Sequence, residues 1–272
     1  MASIKKEVYV IPPGSRVLVT GANGFIGAHV VQELLSLGYF VRGTVRSQKP
    51  WLEELFKSKF GPNSFESIVI PDLSGFDALS EAMGGVRGVI HMASDVSFSP
   101  NADEVIPKVV AATENILEAA ARQPEGSIQR VVLTSSASAA ALPQPGVEGI
   151  VVTEDTWNTA TVNAAFDENT PADAKPFTVY VASKTEGERA GWKWVKNNKP
   201  AFVFNSVLPY YTVKFVDVVD LARVHVVGLL HPEVKSERLF AFTSAFTWKE
   251  FVNILQKVRP GNAGIPNPSS ET

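Results

Sequence analysis

The chain has 272 residues, 45% of them hydrophobic, and its 25 Lys+Arg against 28 Asp+Glu leave a net charge of -3. A chain of that size and apolar content can bury a sizeable core and suits one α/β domain with an elaboration. Interspersed charges with no basic block argue against a nucleic-acid partner, and the lack of cysteine excludes disulfides, thiolate metal sites and cysteine nucleophiles. The first dozen residues carry Lys5, Lys6 and Glu7 ahead of a short apolar stretch, and no later run approaches membrane-spanning length. A soluble cytoplasmic protein is expected, monomeric or homodimeric, with no membrane partner and no metal.

Arg16 to Thr20 reads as a buried strand, Gly21-Ala22-Asn23-Gly24-Phe25-Ile26-Gly27 as a tight turn, and Ile26 to Leu37 as an amphipathic helix stopped by Gly38. Tyr39 to Val45 is a second strand, completing a βαβ unit, and Ser67 to Ile70 a short third. Gly88 to Met92 is a strand ending at Ala93-Ser94, Asp103 to Ala121 has helical spacing, and Val131 to Thr134 is a buried strand ending in Ser135-Ser136. Residues 139–178 are rich in turn formers and predict a loop-rich cover over one end of the sheet. Tyr180 to Lys196 predicts a long helix opening at Tyr180, and Ala201 to Leu208 a strand closed by Pro209. The alternation predicts a Rossmann-type doubly wound parallel sheet over 1–212 and a smaller C-terminal substrate-binding region over 213–272.

The junction between these parts is physically odd. Ala201 to Thr212 and Val213 to Val219 both look extended, yet parallel neighbours need a crossover of about a dozen residues or more. A segment is therefore expected to be missing between Thr212 and Val213, whether a loop left out or a deletion.

The glycine turn has the form of a dinucleotide site. Gly21 permits the tight turn, Gly24 lets the backbone approach a pyrophosphate and Gly27 allows close helix packing, with the helix N-terminus facing the phosphates. About twenty residues beyond such glycines an acid would bind the ribose 2′-hydroxyl of NAD. This chain has Arg46, with Lys49 close by, and a guanidinium there would grip a 2′-phosphate, which predicts NADP(H); a solvated surface arginine is the alternative. Asp72 and Leu73, at a later strand end, read as adenine contacts, with a helix cap as the other reading of Asp72.

Tyr180, Lys184 one helical turn later and Ser136 at a strand end can together reduce a carbonyl. Hydride addition leaves an alkoxide that needs a proton; Tyr180 would supply it, Lys184 would lower the tyrosine pKa and hold the ribose, and Ser136 would orient the substrate oxygen. Tyr210 and Lys214 share the spacing but lie in extended sequence, where residues four apart do not share a face by helical geometry. Val96, Ser97 and Phe98 follow a strand near the expected nicotinamide and are candidate substrate residues, Phe98 being equally a core candidate. His91 reads as a packed residue rather than a base, and His29, His225 and His231 have no metal-ligand spacing.

Taken together, Ile11 to Ser15, Val17 to Gly27, Val41 to Ser47, His91 to Ser94, Val132 to Ser136, Glu154 to Trp157, Tyr180 to Lys184, Val207 to Pro209 and Val216 to His225 resemble the extended short-chain dehydrogenase/reductase family. Within it they resemble the fungal aldehyde and ketone reductases related to plant dihydroflavonol reductases. The resemblance implies Ser136, Tyr180 and Lys184 as the catalytic triad and Arg46 as a 2′-phosphate ligand. It places Asp72, Leu73, Met92, Ala93, Ser94 and Pro209 along the cofactor and implies a small-molecule carbonyl substrate. Such enzymes carry a lid segment between the positions of Thr212 and Val213 and extend beyond the position of Thr272, so the pocket walls are where this chain departs from the pattern.

Two other functions fit parts of the sequence. A nucleotide-sugar epimerase or dehydratase shares the fold and triad, but dehydratases often place acids after the catalytic serine, where this chain has Ala137-Ser138-Ala139, and Arg46 disfavours a tightly held NAD. A non-catalytic NADP(H) sensor would have no need of all three polar groups.

Overall fold

The structure, a computed structural model, describes residues 9–73, 75–144, 146–210 and 214–267. Strands β1 (Arg16–Thr20), β2 (Phe40–Val45), β3 (Phe65–Val69), β4 (Val86–His91), β5 (Arg130–Thr134) and β6 (Val203–Pro209) alternate with helices α1 (Phe25–Ser36), α2 (Pro50–Phe60), α3 (Phe76–Ala82), α4 (Ala102–Ala121), α5 (Thr159–Phe166) and α6 (Lys175–Asn198). Then follow β7 (Lys214–Phe215), α7 (Val218–Leu230), β8 (Arg238–Ala241), β9 (Ser244–Ala245) and α8 (Trp248–Val258). Seven strands form one sheet in the order β3-β2-β1-β4-β5-β6-β8, every neighbouring pair parallel.

Strand residues alternate between two cores, as the period of two requires. Val17 and Val19 pack with α1, α2 and α7 on one face through Val30, Leu34, Phe56 and Leu229, while Leu18 packs with α3 and α4 on the other through Leu79, Ile116 and Leu117. Both faces are covered, which is why the strands read as continuous apolar runs. The strand order reverses between β1 and β4, and the carboxyl ends of the strands there are where such folds bind ligands.

The doubly wound sheet is as expected. Several elements differ. α2 and α3 have no counterpart in the sequence reading, because α2 is announced by Pro50 in its first turn and a Glu53–Lys57 pair rather than by strong amphipathicity. The 139–178 stretch contains α5, started by the Asn158 side chain accepting from Thr161 N–H. α6 begins at Lys175, so Tyr180 lies in its second turn and does not open it. Among the described residues of the run expected to be extended from Val213 to Val219, only the two-residue β7 is strand, pairing antiparallel with β9, and α7 starts at Val218 behind an Asp217 cap. The next parallel neighbour of β6 is β8, and α7 supplies its crossover. The crossover requirement is thus met downstream of the junction; residues 211–213 lie outside the described residues.

Candidate active site

A cleft of ≈ 1280 Å³ lies at the carboxyl ends of β1, β2, β4, β5 and β6. Its floor is the turn after β1. Gly21 has φ +69, and Gly24 N–H donates to the Gly21 carbonyl at 3.0 Å. A Cβ on Gly27 would stand 2.2 Å from that carbonyl oxygen, so only glycine lets α1 approach this closely. Gly24 stands at the N-cap of α1 and offers no side-chain cap, leaving the helix's N-terminal amides to whatever occupies the cleft.

Thr20 ties the ends of β1 and β4 together. Its hydroxyl oxygen accepts from Met92 N–H at 2.9 Å and Ala93 N–H at 3.0 Å, and the hydroxyl sits 2.8 Å from His91 Nδ1, to which it can donate. Burial pushes the His91 pKa down to about 3, with the nearby Lys184 charge acting in the same direction, so this ring is neutral and packed, as expected. His225 has the same character: its rings' nitrogens meet the Thr134 hydroxyl at 2.9 Å and the Leu221 carbonyl at 2.8 Å, and burial lowers its pKa to about 4. Unfolded histidines titrate near 6.5, so below that pH the unfolded chain takes up protons that the folded one refuses, and stability falls as pH drops toward 4. His225→Gln is expected to remove roughly 2–3 kcal/mol of the stability lost between pH 7 and 4.5, read by urea unfolding at both values. An unchanged acid slope would show that other groups carry it.

The polar trio comes from two elements. Ser136 follows β5 and caps a 3-10 turn (Ala137–Ala139); its Oγ accepts from Ser138 N–H at 3.2 Å and lies 2.8 Å from Ser138 Oγ. Tyr180 and Lys184 project from one side of α6 into the same cleft. Lys184 is buried, and its Nζ donates to the Thr134 carbonyl at 3.2 Å. Desolvation lowers its pKa to about 8, opposed by the Glu188 carboxylate. The expected lowering of the Tyr180 pKa is not what the protein alone produces: burial pushes it above its usual value by desolvating the phenolate.

All the expected cofactor residues line the cleft: Gly21, Asn23, Gly24, Phe25, Ile26, Gly27, Arg46, Lys49, Asp72, Leu73, Met92, Ala93, Ser94, Tyr180, Lys184 and Pro209. Arg46 is exposed at the mouth, 3.5 Å from the Ser94 carbonyl, and Lys49 Nζ donates to Ser47 Oγ at 3.0 Å. The first residue of α3 follows Gly75, which excludes Asp72 as the cap of that helix. The residues fit a phosphorylated dinucleotide: uncapped amides stand at one end, two cations at the rim, and Ser94 Oγ is buried without a hydrogen-bond partner inside. The described residues hold no cluster suited to a metal ion, and no helix among them is long and apolar enough to cross a membrane.

The substrate end needs correction at one position. Val96 and Phe98 line the cleft, and the Phe98 ring lies 5.0 Å from the Tyr180 ring; at 49% exposed it is no core residue. Ser97 does not line it. Its backbone N–H donates to Asp95 Oδ1 at 2.8 Å and its Oγ accepts from Ser99 N–H at 3.2 Å, so it shapes the loop instead. Leu142, Pro143, Phe177 and Tyr210, which the sequence reading did not assign to the site, stand on the wall. Tyr210 and Lys214 do not share a helix, as the spacing argument required.

A parallel sheet with its strand order reversed at a glycine turn, and a Ser–Tyr–Lys trio beside that turn, define a dinucleotide-binding Rossmann protein with a polar trio in its cleft. Residues 17–210 match the model of the NAD dependent epimerase/dehydratase family, and the chain belongs to that family. It is 42% identical over 295 residues to the ketoreductase adrE of Penicillium roqueforti, covering 95% of this chain and 84% of the relative. It is 37% identical to aldehyde reductase 2 of Sporidiobolus salmonicolor, covering 92% and 83%. Among solved structures, yeast methylglyoxal/isovaleraldehyde reductase Gre2 complexed with NADPH superposes with a TM-score of 0.77 at 26% identity, covering 90% of this chain and 83% of that one.

Proposed function

We propose that this protein is an NADPH-dependent carbonyl reductase that converts an aldehyde or ketone to an alcohol. The observation that carries the reading is the meeting of Ser136, Tyr180 and Lys184 with the glycine turn in one cleft. Bound NADPH would supply the hydride. Gly21, Gly24 and the α1 N-terminus would hold its pyrophosphate, Arg46 and Lys49 its 2′-phosphate, and Lys184 its ribose. Ser136 Oγ donates to the substrate oxygen and orients it, and the Tyr180 hydroxyl gives that oxygen its proton. Phe98, Phe177, Leu142 and Tyr210 form a largely apolar wall for the rest of the substrate. The relatives named ketoreductase and aldehyde reductase, and the Gre2 structure with NADPH, support this over the epimerase and sensor readings.

The division into a cofactor part, 1–212, and a substrate part, 213–272, belongs to the same proposal. The alignment to the Penicillium relative runs over 295 positions, more than the 272 residues of this chain, so that relative has residues with no counterpart here. This supports a lost lid segment, which we place at the junction of Thr212 and Val213.

The test is carbonyl-dependent NADPH oxidation over aldehydes, α-ketoesters and aryl ketones, with Tyr180→Phe as control. Turnover that depends on Tyr180 upholds the reading; NADPH binding with no turnover of any carbonyl overturns it. Arg46→Ala tests the cofactor choice: NADPH affinity is expected to drop by about 10- to 100-fold, the worth of a charge-assisted contact, with NADH affinity unchanged. Equal loss for both cofactors would remove Arg46 from the 2′-phosphate.

A further inference from the structure

One turn beyond Lys184 on α6, Glu188 forms an ion pair with Arg238 of β8 that is buried at both ends, the side chains 0% and 5% exposed. Arg238 Nε donates to Glu188 Oε1 at 2.9 Å and Nη2 to Oε2 at 3.1 Å. The carboxylate also accepts from Ser206 Oγ at 2.6 Å, Ser135 Oγ at 2.7 Å and Trp192 Nε1 at 3.4 Å. The remaining guanidinium nitrogen of Arg238 donates to the carbonyls of Glu154 at 2.6 Å and Thr156 at 2.8 Å, and its plane stands over the Trp157 ring, 3.9 Å from the centroid.

The 154–158 turn held in this way reaches the reaction centre. Asn158 donates from Nδ2 to the Ser138 carbonyl at 2.9 Å and from its backbone N–H to the Ala139 carbonyl at 2.9 Å, while Ser138 Oγ lies 2.8 Å from Ser136 Oγ. Ser136 is therefore fixed from both sides by one ion pair: Glu188 grips the preceding Ser135, and Arg238 holds the turn that grips the following Ser138. A buried pair of this kind contributes little net stability once desolvation is counted, but its forked geometry admits only one arrangement of the pieces it joins.

We propose that Glu188 and Arg238 are positioning residues for the reaction, setting Ser136 against Tyr180 and Lys184 through the 154–158 turn; this rests on the carbonyl-reductase reading. Arg238 thereby makes the edge strand β8, remote in sequence from the trio, a determinant of its geometry. Lysine at this position keeps the charge but cannot hold both carboxylate oxygens and both carbonyls.

The experiment compares Arg238→Lys, Asn158→Ala and the double variant in the full chain, with kcat expressed per NADPH-binding site so that misfolded protein does not count. Each single change is expected to lower kcat by about 10- to 100-fold, the scale of a misplaced reacting group, with the NADPH Kd changed less than about twofold. Because both cut one path, the double variant should be no slower than the slower single. Unchanged kcat per site, or losses that multiply, would overturn the proposal. If the wild type reduces no carbonyl, the reductase reading fails and the positioning role is read separately by hydrogen exchange. Faster exchange at the Ser138 amide confined to residues near 136–140 and 154–158 upholds it; no change, or acceleration at all amides alike, overturns it.

Discussion

Tyr180→Phe is expected to lower kcat for carbonyl reduction by about 10²- to 10⁴-fold while leaving NADPH affinity within about threefold. The change removes one oxygen from a ring that stays packed against Phe98 and Phe177, so the wall of the cleft survives. On the reductase reading, what is lost is the proton. Ser136 can orient the substrate oxygen, but its hydroxyl is a far weaker acid than a phenol and already lies 2.8 Å from Ser138 Oγ. Burial holds the Tyr180 pKa above its usual value, so the phenol is fully protonated at neutral pH and available as the donor. Stopped-flow NADPH oxidation for kcat and NADPH fluorescence titration for affinity separate the two effects. Turnover equal to wild type would remove Tyr180 as the acid, whereas equal losses of kcat and binding would assign it to the cofactor instead.

Lys184→Met is expected to abolish turnover and, in the cofactor-free protein at pH 7, to raise stability. Desolvation lowers the Lys184 pKa from 10.5 to about 8, so the folded protein releases this proton earlier than the unfolded chain. Between pH 8 and 10.5 the unfolded state binds more protons, and stability therefore rises with pH across that window; below pH 8 the full cost of a buried ammonium is present. That cost is on the order of 3 kcal/mol, offset by about 1 kcal/mol for the hydrogen bond to the Thr134 carbonyl, leaving a gain of about 2 kcal/mol for methionine. Urea unfolding at pH 7 and pH 10 should find the variant more stable at the lower pH and without the wild-type rise. A variant less stable at pH 7 with the rise intact would place the titration elsewhere. Kept for function at such a cost, a buried lysine beside the glycine turn has the mark of a cofactor-binding group, and the NADPH affinity of Lys184→Met should fall accordingly.

Local chemistry accounts for what was legible in the chain. A buried strand, three glycines at set intervals and an amphipathic helix specify β1, the turn and α1 without help from elsewhere, because each is a matter of backbone freedom and period. Tyr180 and Lys184 share a face because α6 is helical, and Arg46 stands at a strand end because β2 is a strand. The order of elements already implied a doubly wound sheet and a cleft at its carboxyl edge.

Only the tertiary structure could decide what depends on neighbours far away in sequence. It turned Ser97 out of the cleft and brought Tyr210 in, since a loop residue's direction follows from its hydrogen bonds and not from its distance to a strand end. It showed α7 as a crossover where an abutting strand was expected, and it joined Glu188 to Arg238 across 50 residues, a pairing no period announces. It also reversed the Tyr180 shift. Spacing along a helix places a charge, but the sign of a pKa change is set by how much water the surrounding walls exclude, and those walls come from Phe98 and α6 meeting in space.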